Sequence, residues 1–392
     1  MVLDPFCGTG TTNVECKRLG IDSLGLEANP IAWFASCVKT NWEVSPVELE
    51  TTARAVASSA LQDFKRFGLS EDGQLLDQDR FRTSHSAHLL ETEPALTSAQ
   101  MEVLPRDFIS KTPLRKVLIL RELILQVGHE DLRNILLLGL AAVTVNSASN
   151  LAFGPEIYTS KRKVDAPVVG DFLLRIADMV NDLKTKLEPY GSTRVLLGDA
   201  RRMTDYFSST ESVDCVITSP PYPNEKDYTR ITRLESIVLD FIRDRDSLRK
   251  IKANLLRSNS RNVFASDKDD QFVKGFAPVE KLADEIEQRR IRLGKTSGFE
   301  KLYHKIVRHY FGGMYRHLAS LKELLTPGAK LAYVVGDQRS YFRINIPTAE
   351  LLGKIAQQLG YRIEGIELWR TRQATATLSD LDENVLILAN EG

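Results

Sequence analysis

Short, dense apolar runs alternate along this chain with longer stretches whose apolar residues recur at helical spacing. The run Val213-Asp214-Cys215-Val216-Ile217-Thr218 stops abruptly at Ser219-Pro220-Pro221-Tyr222, the pattern of a central parallel strand. Near the start, Met1-Val2-Leu3 leads into Asp4-Pro5-Phe6-Cys7-Gly8-Thr9-Gly10-Thr11-Thr12, and Asn13–Leu19 follows with a helical pattern. Ser23–Leu26 reads as the next strand, ending at Glu27, and Val195–Ala200 as a third, carrying Asp199. Val117–Val127 and Leu132–Ala148 are apolar enough for buried helices, and Gly170–Leu187 is amphipathic. Towards the end come a helix through Tyr315–Leu325, a turn at Thr326-Pro327-Gly328 and a strand over Lys330–Asp337. A helix at Thr348–Leu359 then leads to strands Tyr361–Arg370 and Asn384–Asn390.

This alternation predicts an α/β fold interrupted twice. Residues 1–42 carry two strand–helix units, whereas 43–190 is too long for a single crossover and reads as a helical insertion. Residues 191–222 return to the core with two strands. Residues 223–310, opened by Pro223-Asn224-Glu225-Lys226-Asp227-Tyr228-Thr229-Arg230, read as a second, polar, helix-rich insertion, and 311–392 complete the core. No internal repeat or low-complexity tract appears.

Composition narrows the class. A chain of 392 residues with 43% hydrophobic content can bury one large core plus inserted subdomains. No run approaches a membrane span, and no signal peptide is visible. The four cysteines, Cys7, Cys16, Cys37 and Cys215, show neither C-x-x-C nor zinc spacing, so the expectation is a reduced cytoplasmic protein without metal. Lys and Arg total 52 and Asp and Glu 52, so any polyanion-binding surface requires positive charge gathered on one face.

Two motifs carry chemistry. Gly8 and Gly10 permit a tight strand-to-helix turn with close backbone approach to a ligand. The turn lacks the full dinucleotide fingerprint and the phosphate-loop lysine, and by itself it is common in doubly wound folds. Glu27, about 20 residues beyond such a turn, stands where these folds hold a ribose diol. In Ser219–Tyr222 the prolines lack N–H groups and stiffen the backbone, freeing carbonyls to face a ligand. Tyr222 adds a flat stacking face, so the motif suits a planar amine such as a nucleobase edge. Read alone, Pro-Pro-Tyr is also an ordinary strand-ending turn.

Together, DPFCGTGTT and TSPPY resemble the S-adenosyl-L-methionine-dependent DNA amino-methyltransferases, which methylate the N4 amine of cytosine or the N6 amine of adenine. The resemblance implies a Rossmann-like seven-stranded sheet, mostly parallel with its last strand antiparallel. It implies that Asp4, Phe6, Gly8, Gly10 and Thr11 contact the cofactor, that Glu27 binds its ribose, and that Asp199 meets its adenine amine. Ser219, Pro220, Pro221 and Tyr222 would hold the target base. Serine at the first motif position leans towards N4-cytosine and aspartate towards N6-adenine. C5-cytosine methylation needs a nucleophilic cysteine after a proline; Cys7 follows Phe6 and Cys215 follows Asp214, which excludes it.

The expected substrate is double-stranded DNA, methylated at a specific site in a prokaryotic cytoplasm. Candidate DNA contacts are Lys161 and Arg162, beside the Asn150–Pro155 tail of the first insertion, and Arg257 and Arg261 within the acid-poor Leu255–Asn262 segment. Two further clusters, around Arg243–Lys250 and Arg289–Lys295, are interleaved with Asp244, Asp246, Glu285 and Glu287 and read better as solvated faces. Target recognition is expected in 223–310, which leaves the base pocket directly. The lead into the glycine loop is short for the family. That suggests a fragment or split enzyme whose companion chain supplies the missing element, or a substitute such as Gly170–Leu187. A cognate restriction enzyme is a second expected partner. Alternatives are an N6-adenine enzyme, an RNA or protein methyltransferase, and a non-catalytic subunit of a modification complex.

Overall fold

The computed structural model describes residues 1–71, 89–154, 156–186, 188–208, 210–224, 226–373 and 380–392. Pro155, Leu187 and Glu225, which the sequence reading placed in a tail, a helix end and a loop, lie outside the described residues. The chain divides into one unit of residues 1–36, 189–228 and 251–392 and another of 37–188 and 229–250.

The first unit is built on a seven-stranded sheet. Its strands are β1 (Val2–Asp4), β2 (Ser23–Glu27), β3 (Thr193–Leu197), β4 (Val213–Thr218), β5 (Leu325–Gly336), β6 (Tyr361–Gln373) and β7 (Asp380–Asn390). Their order across the sheet is β3-β2-β1-β4-β5-β7-β6. The first five are mutually parallel, and β7, last in the chain, runs antiparallel between β5 and β6. This is the mostly parallel, Rossmann-like sheet expected from the motifs. The strand order reverses beside β1, so β1 and β4 are neighbours, and a crevice at their C-terminal ends is where such sheets bind ligands.

The apolar runs explain the packing. Leu3, Leu24, Leu26, Val213, Val216, Leu331 and Leu388 are buried on the strands. The helix Tyr303–Lys322 covers them with Ile306, Phe311, Met314, Leu318 and Leu321 at helical spacing. Gly312 lets that helix pack tightly, because a side chain there would strike the Asp269 backbone carbonyl.

Several boundaries differ from expectation. Thr326-Pro327-Gly328 is a bulge inside β5, not a turn before it: the pairing with β4 shifts register there, and Gly328 takes φ +82°. Strand β3 ends at Leu197, before Ala200, because Asp199 turns back to cap Ala200–Asp205 through the Arg201 N–H. The helix placed at Tyr315–Leu325 begins a dozen residues earlier, at Tyr303. The expected second insertion does not stand apart. Residues 251–310 belong to the sheet unit, since Leu256, Val273, Val279, Leu282, Ile286 and Ile306 enter its core, while 229–250 belong to the helical unit.

The helical unit holds Pro46–Arg66, Lys111–Leu125, Glu130–Val143 and Val168–Lys184, with a small hairpin of Leu151–Phe153 and Ile157–Thr159. Lys116 is wholly buried within it and satisfied by Asp165 at 2.8 Å and Glu71 at 3.0 Å. Among the described residues no helix is long and apolar enough to cross a membrane.

Candidate active site

Strand β1 delivers Asp4 to the mouth of the sheet, and the chain then turns through Gly8 and Gly10, at φ +53° and +81°, into the helix Thr11–Arg18. Glycine is required at both positions by the backbone, and at Gly10 also by space, since a side chain would strike Ser36 Oγ. At Gly8 no atom lies within 4 Å of where a Cβ would stand, so this turn faces open room. Thr11 is exposed at the helix start, and Phe6 packs edge-to-face on His317 with ring centres 4.9 Å apart.

Glu27, at the end of β2, is drawn towards this turn. Its Oε2 accepts the Gly8 N–H at 2.8 Å and its Oε1 accepts the Asn29 N–H at 2.8 Å. Burial pushes its pKa up to about 7, against the pull of those backbone bonds. The Ala28 N–H is a further backbone contact, so the carboxylate is fixed at the turn by the chain around it while keeping some acceptor capacity.

The two motifs meet through a side chain. Thr218, last residue of β4, donates from Oγ1 to Asp4 Oδ1 at 2.6 Å across the β1–β4 boundary, and Asp4 also accepts the Phe6 N–H at 3.2 Å. Burial raises the Asp4 carboxyl above the ordinary carboxylate range, opposed by the Thr218 and Thr12 hydroxyls. Beyond Thr218, Ser219 is exposed, Pro220 buried, and Pro221 and Tyr222 half-buried. The Tyr222 ring lies against Gly336 at the end of β5, where a Cβ would sit 3.0 Å from its Cε2. Its hydroxyl interacts with Ser219 and donates to Glu383 Oε1 at 3.4 Å, and burial raises its pKa. Glu383 is buried on β7 and is held in turn by Arg370 and Arg372 of β6.

Asp199 stands at the C-terminal end of β3, but its carboxylate is committed. Arg201 Nε donates to its Oδ1 at 2.9 Å and Nη2 to its Oδ2 at 2.8 Å, and the Arg201 N–H adds a third bond. The same guanidinium reaches Asp269 at 2.6 Å, and Asp269 receives Arg316 at 2.6 Å. Burial works against the Arg201 charge, yet the flanking carboxylates outweigh it and raise the pKa. The residue expected to meet the cofactor's adenine amine thus also anchors a buried ion-pair chain through Arg201 to Asp269.

His317 braces the same loop. Its Nδ1 lies 2.9 Å from the Ala200 carbonyl, which can only accept, so Nδ1 carries the proton and Nε2 accepts from Tyr333 Oη at 2.7 Å. Burial lowers its pKa to about 4, leaving it neutral.

No protein-family model matches the chain, and no solved structure matches it. Curated relatives do. Over 401 residues the chain is 24% identical to the Type II methyltransferase M.BsoBI of Geobacillus stearothermophilus, covering 92% of this chain and 73% of that protein. The chain is similar to Type II methyltransferases. Two others, M.AvaI of Nostoc sp. and M.AvaI of Anabaena variabilis, are each 22% identical over 385 residues, covering 93% of this chain and 74% of theirs. The likeness to Type II methyltransferases thus extends far beyond the two motifs.

The candidate DNA contacts fare unequally. Arg257 is buried and spends its guanidinium inside the protein, on Asp267 through two bonds at 2.8 Å and on the carbonyls of Lys252, Ala253 and Leu255. That corrects its reading as a phosphate contact, since every N–H direction is taken. Arg261 is exposed and stacks over Phe299, itself 55% exposed, at 5.9 Å. Lys161 and Arg162 are exposed on the helical unit, and Arg162 pairs with Asp107. Sequence reasoning missed Glu383, Arg370 and Arg372, whose only local signal is charge crowded into two strands at the sheet's end. It also missed Arg201 and Asp269, which lie 68 residues apart.

Proposed function

We propose that this chain is an S-adenosyl-L-methionine-dependent DNA methyltransferase that transfers a methyl group to the N4 amine of cytosine in a flipped-out nucleotide. The observation that carries this reading is the 2.6 Å bond from Thr218 to Asp4, which ties the glycine turn to the Ser219 motif at the mouth of one sheet. Similarity to Type II methyltransferases over more than nine-tenths of the chain supports DNA as substrate. Serine at position 219 supports cytosine over adenine, by the family's tendency.

The residues fit the cofactor. Glu27 is a carboxylate held at the glycine turn with acceptor capacity for a ribose diol, and the turn at Gly8 faces open space where backbone can approach a ligand closely. When bound, the cofactor supplies an electrophilic methyl group. The chain's own task is positioning. An exocyclic amine is a poor nucleophile because its lone pair is delocalised into the ring. Ser219 Oγ and the Pro220 carbonyl accept its two N–H bonds, which turns the nitrogen lone pair towards the donor and lets transfer proceed in line. Tyr222, braced by Gly336 and Glu383, stacks on the base and offsets part of the few kcal/mol needed to unstack it. The excess proton leaves to solvent.

The test is methyl transfer from labelled cofactor followed by nucleoside analysis of the DNA. Wild type yields N4-methylcytosine, while Ser219→Ala and Tyr222→Ala keep cofactor affinity and lose about a hundredfold or more in rate. Recovery of N6-methyladenine transfers the reading to the other amine. Labelling of RNA or protein in place of DNA refutes it.

A further inference from the structure

Glu280 and Asp284 of the helix Ala277–Arg292 meet Arg308 of the helix Tyr303–Lys322, while Glu287 meets His304, so the two helices pack antiparallel. The tip that joins them lies at the mouth of the sheet. Tyr303 packs on Tyr341 and Phe342, with ring centres 4.7 and 5.2 Å apart, and these follow Gly336 at the C-terminal end of β5. Gly336 is also where the Tyr222 ring rests. A second tether starts from the chain that leaves the Ser219 motif. Asn259 donates to the Lys226 carbonyl at 3.0 Å, and Lys252 Nζ bonds Asp227 at 3.1 Å and the Arg261 carbonyl at 3.4 Å. The Arg261 guanidinium then lies over the Phe299 ring of the tip.

The tip is strongly basic in a chain whose charges balance. Residues 288–305 hold six Lys or Arg, at positions 289, 290, 292, 295, 301 and 305, against the one acid Glu300. The neighbouring acids are largely spent. Glu287 accepts from Arg290 at 2.6 and 2.8 Å, Glu280 and Asp284 hold Arg308, and Glu300 lies 3.5 Å from Lys295. Arg261, Arg289, Arg292, Lys301 and Lys305 are exposed, and their side chains make no ion pair among the described residues. Glu285, one turn before Arg289, is exposed without pairing to it. The cluster that the sequence set aside as a compensated, solvated face therefore carries uncompensated positive charge. Positive charge gathered on one face is what a polyanion requires of a chain with no net charge. Exposed Ile291, Leu293 and Phe299 alternate with these cations, whereas protein interfaces deplete charge from their centres, so the composition favours nucleic acid over a protein partner. We infer that the Arg289–Lys305 tip, with Arg261, grips the phosphate backbone of the DNA duplex at the mouth of the sheet. The inference rests on the proposed function and gives its substrate a docking surface that carries affinity and no base choice.

The test neutralises four of these residues together, in a variant carrying Arg289→Gln, Arg292→Gln, Lys301→Gln and Lys305→Gln. A control, Arg18→Gln with Arg362→Gln, removes two exposed cations from the far end of the sheet. Binding to a methylatable duplex and to an unrelated one is measured against salt concentration, with methyl transfer alongside. The tip variant is expected to lose at least about tenfold in affinity for both duplexes at about 0.1 M salt. Its slope of log affinity against log salt is expected to flatten by about 3–4, slightly under one per phosphate contact. The loss falls on KM for DNA rather than on kcat, and cofactor affinity and Tm match wild type. The control keeps the wild-type affinity and slope. A tip variant with the wild-type slope and KM overturns the inference and leaves the methyltransferase reading standing, and so does an equal loss per charge in the control. Wild type that binds cofactor but transfers nothing to DNA overturns the functional reading itself.

Discussion

On the proposed function, Glu27 makes cofactor binding sensitive to pH in a way that can be worked out beforehand. Its pKa of about 7 arises because burial penalises the charge more than the Gly8 and Asn29 N–H groups stabilise it. A carboxylate accepts both hydroxyls of a diol, whereas a protonated carboxyl turns one oxygen into a donor. The ionised fraction rises from about 0.1 at pH ~6 to about 0.9 at pH ~8, so cofactor affinity is expected to rise about tenfold over that interval. Glu27→Gln has no such titration; it binds more weakly and shows only the slope contributed by the cofactor's own amine. Stability moves the other way. The unfolded chain loses this proton near 4.5 and the folded chain near 7, so the folded state binds more protons in between. The stability Glu27 contributes is complete below about 4.5, falls as pH rises to about 7 by at most about 3 kcal/mol, and is flat above. Isothermal titration of cofactor at several pH values, paired with urea unfolding of wild type and Glu27→Gln, reads both effects. A wild-type affinity that is level from about pH 6 to about pH 8, or a Glu27→Gln affinity that keeps the wild-type slope, refutes the reasoning.

The two turn glycines are expected to separate folding from binding. Gly8→Ala should cost about 1–2 kcal/mol for its left-handed backbone yet abolish cofactor binding, because its Cβ enters the open side of the turn, while Gly10→Ala should cost more through collision with Ser36; thermal melts and cofactor titration distinguish them. Asp199→Asn breaks the buried pairing with Arg201 and is expected to cost about 3–5 kcal/mol, with activity lost in step with the folded fraction. A stable Asp199→Asn protein that fails to bind cofactor would assign Asp199 to the ligand.

Much of the fold was legible because its signals are local. The apolar runs at Leu24–Leu26 and Val213–Thr218 place strands wherever they fall, and glycine and proline punctuate them by steric rules that need no tertiary context. Thr326-Pro327-Gly328 shows the limit of those rules. A proline and a positive-φ glycine suit a bulge as well as a turn, and only the pairing with β4 decides. Arg257 was misread for a related reason. The segment around it is poor in acids, but Asp267, ten residues on, folds back to pair with it, and three backbone carbonyls do the rest.

The site divides along the same line. What a short window can specify is backbone chemistry: the left-handed turn at Gly8 and Gly10, and the missing N–H groups of Pro220 and Pro221. A buried charge or hydroxyl is different, because burial removes water from all sides and the replacement partners must come from several elements at once. Arg201 takes its partners from residues 199, 253 and 269, and Tyr222 is held by Gly336 of β5 and Glu383 of β7.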